Sequence, residues 1–447
     1  MKNFKYIVSF MALWFALVSC EISQLTDPNS PNSDLVSNPS LSEIQNLVSG
    51  VESGLRGSLG IYYDVVNMIG REYWRFSGSE PRYTGDLLGK GSSILDNNTF
   101  YLTNPYGERY RVIRNADLLI TGVNNTSAAL SDAQKKNTLG FAKTIKAYQY
   151  LLVLNLLYEN GIRIDVADPD NLGPFRSYTE ALSDIATLLN EGNTDLNTGS
   201  EDEFIFPLSA GFAGFNTPET FAQFNRGLAA RVALYRGNYA EALTLLDDSF
   251  LNLSGNLDNG AYHFFSIAGG DVTNVLFFPR NSNGETRITH PTFITDAEAG
   301  DTRVTSKTAL RADGDDADTA PDPGSLDDLS GIYDYWAYQT QSDFIPIIRN
   351  EELILIYAEA KIQTNSLTDG ATALNTIRNA SGLSNLAGGL TQAQLITVML
   401  KERRYSLFGE GHRWVDMRRY NRLNQLTLDR PGDNVWEQFP RPANDTE

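Results

Sequence analysis

The chain has 447 residues, 41% of them hydrophobic and 11% aromatic, enough to bury a substantial core, which excludes a disordered surface coat. Its formal charge of −19 repels polyanions, so nucleic acid is excluded as a partner and a neutral ligand is favoured. A single cysteine allows no internal disulfide, so stability must come from packing.

The first predicted element is a secretory signal over residues 1–19. Lys2 and Lys5 precede an apolar run from Ile7 to Val18 that only Ser9 interrupts, too short to span a bilayer. It ends in Leu17-Val18-Ser19-Cys20, which is similar to the bacterial lipobox. Cys20, the lone cysteine, is therefore the expected lipid-attachment residue and the first mature one, and several acyl chains would hold it stably in a membrane. Residues 20–39, with Pro28, Pro31 and Pro39 among Asn, Ser and Asp, read as an extended leash between lipid and domain.

Residues 40–447 read as one domain, mainly α. Ser40 and Glu43 form a capping box for a first helix whose apolar face runs from Leu41 to Leu59. The pattern predicts a second helix over 132–158, with Ser131 and Gln134 as its box and Gly161 beyond its end, and another over 180–190. Thr217-Pro218 opens a helix-turn-helix over 217–246, broken at Gly237-Asn238. Ala230, Leu234, Tyr235, Gly237, Tyr239 and Ala242 give that unit the look of a tetratricopeptide pair, with a looser echo at 350–379. Between these lie two stretches read as irregular, 61–110 and 247–345, rich in aromatics and with minor strand such as 274–278.

Few motifs suggest catalysis or metal binding. The acidic run 313–318 could ligate calcium but lacks the glycine placement and distal Glu of an EF-hand, so it reads as a solvated loop. With only His263, His290 and His412, a histidine metal site is not expected, and no cofactor is called for.

The C-terminal third carries a family pattern: Asn350 to Ala360, then Ala373 to Arg378, then Glu402-Arg403-Arg404-Tyr405, then Glu410 to Arg419. In order and spacing these segments resemble the SusD/RagB family of nutrient-uptake lipoproteins. The lipobox, Asp27-Pro28-Asn29, the 217–246 helical pair and Phe439-Pro440-Arg441-Pro442 fall where that family has them. The resemblance implies a compact, mostly helical SusD-like fold with tetratricopeptide-like pairs, anchored at the outer membrane and facing outward. It implies binding without catalysis, usually of an oligosaccharide and in some members of peptide. The implied partner is a TonB-dependent barrel of the SusC type.

The family's marker residues Glu402, Arg403, Arg404, Glu410, Arg413, Asp416 and Arg418 alternate in sign and read as a network pinning the last helices, with His412 as a packing residue. A glycan site instead needs aromatic platforms beside hydrogen-bonding groups. Trp74 and Trp336, in the two irregular stretches, are the candidate platforms, with Arg71, Tyr83 and Tyr335 beside them. Two other readings remain: a glycoside hydrolase, needing two carboxylates across a cleft, and a helical-repeat scaffold for a protein partner.

Overall fold

A computed structural model describes residues 36–199, 202–313 and 320–445. The signal, Cys20 and most of the leash lie outside the described residues, as does all but Asp313 of the 313–318 run. Helix dominates, as expected.

α1 (Leu41–Gly54) starts at Ser40, whose hydroxyl accepts from the Glu43 amide while Glu43 accepts from the Ser40 amide at 2.7 Å. It buries Ile44, Val48 and Val51, whereas Leu41 is exposed. α2 (Leu59–Ile69) and the strand β1 (Tyr73–Ser77) follow, then α3 (Phe100–Asn125). The expectation of irregular chain over 61–110 is therefore corrected. α2 has no polar face because every side chain from Tyr62 to Ile69 is buried, so no helical stripe shows in its sequence. α3 is masked by Pro105, which removes one intrahelical donor near its start.

α4 (Asp132–Leu157) has the expected Ser131–Gln134 box, and packs against α3 on one side and α5 (Tyr178–Thr198) on another. Between them, β2 (Ile162–Arg163) pairs with β3 (Phe175–Arg176). α5 runs longer than expected at both ends, because Ser177 and Glu180 form a further box. α6 (Pro218–Tyr235) and α7 (Tyr239–Asp247) realise the helix-turn-helix, with Gly237 at φ +72° in the break.

The chain then turns to short strands: β4 (Gly260–His263), β5 (Glu285–Thr289), β6 (Thr308–Leu310), β7 (Gly324–Leu326), β8 (Leu329–Gly331), β9 (Tyr333–Tyr335) and β10 (Ile345–Arg349). Two short helices, α8 (Pro291–Thr295) and α9 (Thr302–Lys307), lie among them. The main sheet has the order β1-β5-β9-β6, so the two aromatic segments singled out in the sequence meet across β5. β10 pairs antiparallel with β4, and β7 with β8. The expected strand at 274–278 is a turn instead, held by Asn274, whose side chain accepts from the amides of Leu276 and Phe277.

α10 (Asn350–Gln363), α11 (Leu367–Ala380), α12 (Gln392–Ser406) and α13 (Arg413–Arg419) close the chain around a second apolar cluster that includes Ile354, Ala358, Leu374, Ile377 and Met399. The marker residues interlock beneath it. Arg403 donates to Asp416 at 2.6 Å, Asp416 accepts from Arg419 at 2.8 Å, and Arg419 donates to Glu359 at 2.8 Å. Arg378 donates to Glu402 at 2.7 Å. Arg418 donates to the Asn155 carbonyl at 2.9 Å and lies over the Tyr158 ring. Arg403, Asp416, Glu359, Arg378, Glu402 and Arg418 are buried, so the network is structural and ties the last helices to α4.

The tail then laces back across the first half. The Asn434 amide donates to Leu88 O, Phe439 to Leu156 O and Ala443 to Asn97 O, while the Trp436 indole donates to Asp86 O at 2.8 Å. Among the described residues no helix is long and apolar enough to cross a membrane.

Candidate ligand-binding cleft

A cleft of about 430 Å³ opens where β4 and β10 meet α9 and the loop 336–344. Strand alternation builds one wall. Ala261 and His263 turn inward, so Tyr262 turns outward, opposite Pro346 in the register. Phe344, just ahead of β10, sets its ring 6.5 Å from Tyr262 and 5.2 Å, edge-on, from Phe264. Tyr338 completes the aromatic lining.

The floor is ionic. Arg349 donates to Glu410 at 2.6 Å, to Glu351 at 2.5 Å and to the Ser406 carbonyl at 2.7 Å. Burial works against charge on Glu351, but Arg349 and Lys307 overcome it and hold its pKa below the ordinary value. For Glu410 burial wins and the pKa is raised. Lys307 donates to Tyr405 O at 3.0 Å and to Ser406 O, and burial depresses its pKa. At the rim the Asp258 carboxylate is 82% exposed, held only by a 3.9 Å contact with Arg349, and is free to accept from a ligand. Asp343 is committed to its own turn, accepting from the Gln339 and Thr340 amides. Hydroxyl-bearing rings suit such a cleft: aromatic faces for C–H surfaces, a free carboxylate for O–H donors. Glu351 and Glu410 both bond the same guanidinium, an arrangement unlike an acid facing a nucleophile across a substrate.

The residues singled out in the sequence lie differently. Arg71 is buried, donating to Thr427 O at 2.9 Å and Asn434 O at 2.8 Å. Trp74 is 4% exposed, with its indole N–H on Asp429 at 3.1 Å and its ring 5.0 Å from His290. Tyr83 is buried beside Phe100, with the Arg75 guanidinium near its ring. Tyr335 is buried 4.8 Å from Tyr73. None of these four offers a ring or guanidinium face to solvent; for Trp74 the reason is that β1 is buried on both faces and does not alternate. Trp336 alone is half-buried, 6.1 Å from Phe277 and next to Ala337 of the cleft.

Of the two aromatic-rich stretches in the sequence, 247–345 supplies part of the cleft through Asp258, Tyr262 and Phe344, none of them among the candidates drawn from the sequence. The signal was present in the aromatic run Tyr262-His263-Phe264-Phe265 and its echo at Phe344. The three histidines are all buried, and burial lowers the pKa of His263 to about 3 and of His412 to about 4. Among the described residues no cluster of His, Cys, Asp and Glu could hold a metal ion.

A model of the SusD family matches residues 324–444. No curated protein matches the chain. Solved structures align over nearly its whole length. A SusD superfamily protein from Bacteroides vulgatus covers 90% of this chain and 96% of its own, at 14% identity and a TM-score of 0.65. NanU from B. fragilis covers 90% and 94%, at 16% identity and 0.65. Surface glycan-binding protein A from Bacteroides thetaiotaomicron, solved with laminarihexaose, covers 91% and 97%, at 13% identity and 0.69. The chain is thus SusD-like, with the fold of SusD superfamily proteins and the SusD family's own sequence pattern over residues 324–444.

Proposed function

We propose that this chain is a non-catalytic receptor that binds oligosaccharide at the cell surface and passes it to a TonB-dependent, SusC-like barrel in the outer membrane. Acylation at Cys20 would tether it, with residues 20–39 as the leash. The observation that carries the reading is the β4–β10 cleft, where Tyr262 and Phe344 stand beside the exposed Asp258 carboxylate. Trp336 neighbours Ala337 of the cleft lining and Tyr335 packs on its Tyr338 and Phe408, whereas Arg71, Trp74 and Tyr83 are buried among other partners. Fold likeness to proteins described as surface glycan-binding supports the choice of ligand class.

A glycan panel tested against the chain lacking residues 1–20 checks this. Saturable binding without product formation is expected, weakened about tenfold or more by Phe344→Ala or Tyr262→Ala. Turnover of any glycan would favour a hydrolase. Binding to none of them would remove the glycan reading. Co-purification of a barrel from outer membranes tests delivery separately.

A further inference from the structure

Tyr262 has a second role: it also lines a smaller pocket, of about 220 Å³, whose lining residue Phe264 lies 5.2 Å from Phe344 of the cleft. α1, the turn at Ser209, β4 and the loop 264–271 enclose it. The loop is pinned by Arg56, which donates to Phe264 O at 2.9 Å and to Asp271 at 2.5 Å. Leu55 and Phe212, both fully buried, supply an apolar side. The polar side is not used up by the protein. Glu52 accepts from the Ser209 amide at 3.0 Å, and carboxylate lone pairs remain. His263 lines the pocket at 2% exposure, and its Nδ1 has no hydrogen-bond partner among the described residues.

We propose that this pocket seats the terminal pyranose ring of an oligosaccharide lying in the cleft, and that it selects chain ends without negative charge. The inference rests on the cleft being a glycan site. Size sets the first part: a space of about 220 Å³ accommodates a sugar ring. Charge sets the second. Arg56 pairs with Asp271 and also acts on Glu52, so the three leave one net negative charge at Glu52, whose pKa burial raises. A uronate or sulfated ring would meet that carboxylate without compensation, whereas hydroxyls or an ammonium would bond it.

Ser53 faces solvent on α1 at the pocket mouth, so Ser53→Phe plugs the pocket without entering the core. Saturation-transfer NMR with methyl glucoside, methyl galactoside, methyl mannoside, glucosamine and methyl glucuronide as probes tests the pocket directly. Transfer to at least one neutral or amino sugar is expected, none to the glucuronide, and at least tenfold weaker binding in Ser53→Phe with an unchanged melting temperature. Glu52→Gln, which keeps the side-chain length, should admit the glucuronide. No transfer from any probe, equal transfer to the glucuronide, or indifference to Ser53→Phe would each overturn the inference. If panel oligosaccharides bind and Ser53→Phe leaves their affinity intact, the pocket falls and the cleft reading stands. If the wild-type chain binds no oligosaccharide, the cleft reading itself falls.

Discussion

Arg349 bonds Glu410 across the floor of the cleft, Nη1 to Oε1 at 2.6 Å, while its second amino group holds Glu351. Three charges are thereby desolvated in one place, and each depends on the others. Replacing Arg349 with Met leaves two buried carboxylates with only Lys307 as a nearby positive charge. The expected cost is about 3–5 kcal/mol, read as a lower denaturation midpoint at pH 7, with the loss shrinking as acid protonates the carboxylates.

The two tryptophans of the aromatic segments separate cleanly by burial. Trp74 packs in the interior and bonds Asp429, so Trp74→Ala should cost about 3–5 kcal/mol of stability. Trp336, half-buried beside the cleft, should cost under about 2 kcal/mol as alanine while weakening glycan binding. Thermal melts and titrations on both variants decide this. A Trp74→Ala protein melting like wild type would contradict the structure.

His412 gives the stability a recognisable pH dependence. In the folded state burial holds its pKa at about 4, against 6.5 as the ordinary value. The unfolded chain therefore binds this proton between pH 6.5 and 4 while the folded chain does not. The contribution is present in full above pH 6.5 and is lost as pH falls toward 4, by on the order of 2–3 kcal/mol. Glu72, whose pKa burial raises to about 7, acts in the opposite sense between pH 4.5 and 7. The clean measurement is consequently a difference: His412→Asn should lose less stability than wild type on going from pH 7 to 4.

Gly409 sits at φ +79°, and a Cβ there would collide with the Tyr335 ring and hydroxyl. Backbone strain and overlap act together in Gly409→Ala, for an expected loss of about 2–4 kcal/mol. Tyr335→Phe relieves part of the overlap, so the double variant should recover some of that loss in the same melt.

Much of this fold was legible because helix ends announce themselves. Ser40 with Glu43, and Ser131 with Gln134, cap helices where the spacing says they should. α2 was hidden for the opposite reason: a helix covered on all sides carries no polar face to mark its period. β1 misled similarly, since a strand buried on both faces puts Trp74 inside where a loop would have left it exposed. For the cleft, the sequence pointed to two aromatic-rich stretches, one of them 247–345, but not to Tyr262. Its outward direction follows from the pairing of β4 with β10, strands more than 80 residues apart.

The lacing of residues 434–443 over Leu88, Asn97 and Leu156 has a consequence for the order of assembly. Contacts that finish the N-terminal half belong to its most distant stretch of chain, so a nascent polypeptide cannot settle before synthesis is nearly done. On the proposed surface location, such a protein would reach an export channel still loose enough to thread. A ribosome-stalled chain ending before residue 430 should accordingly be cut by protease at sites that the finished molecule protects.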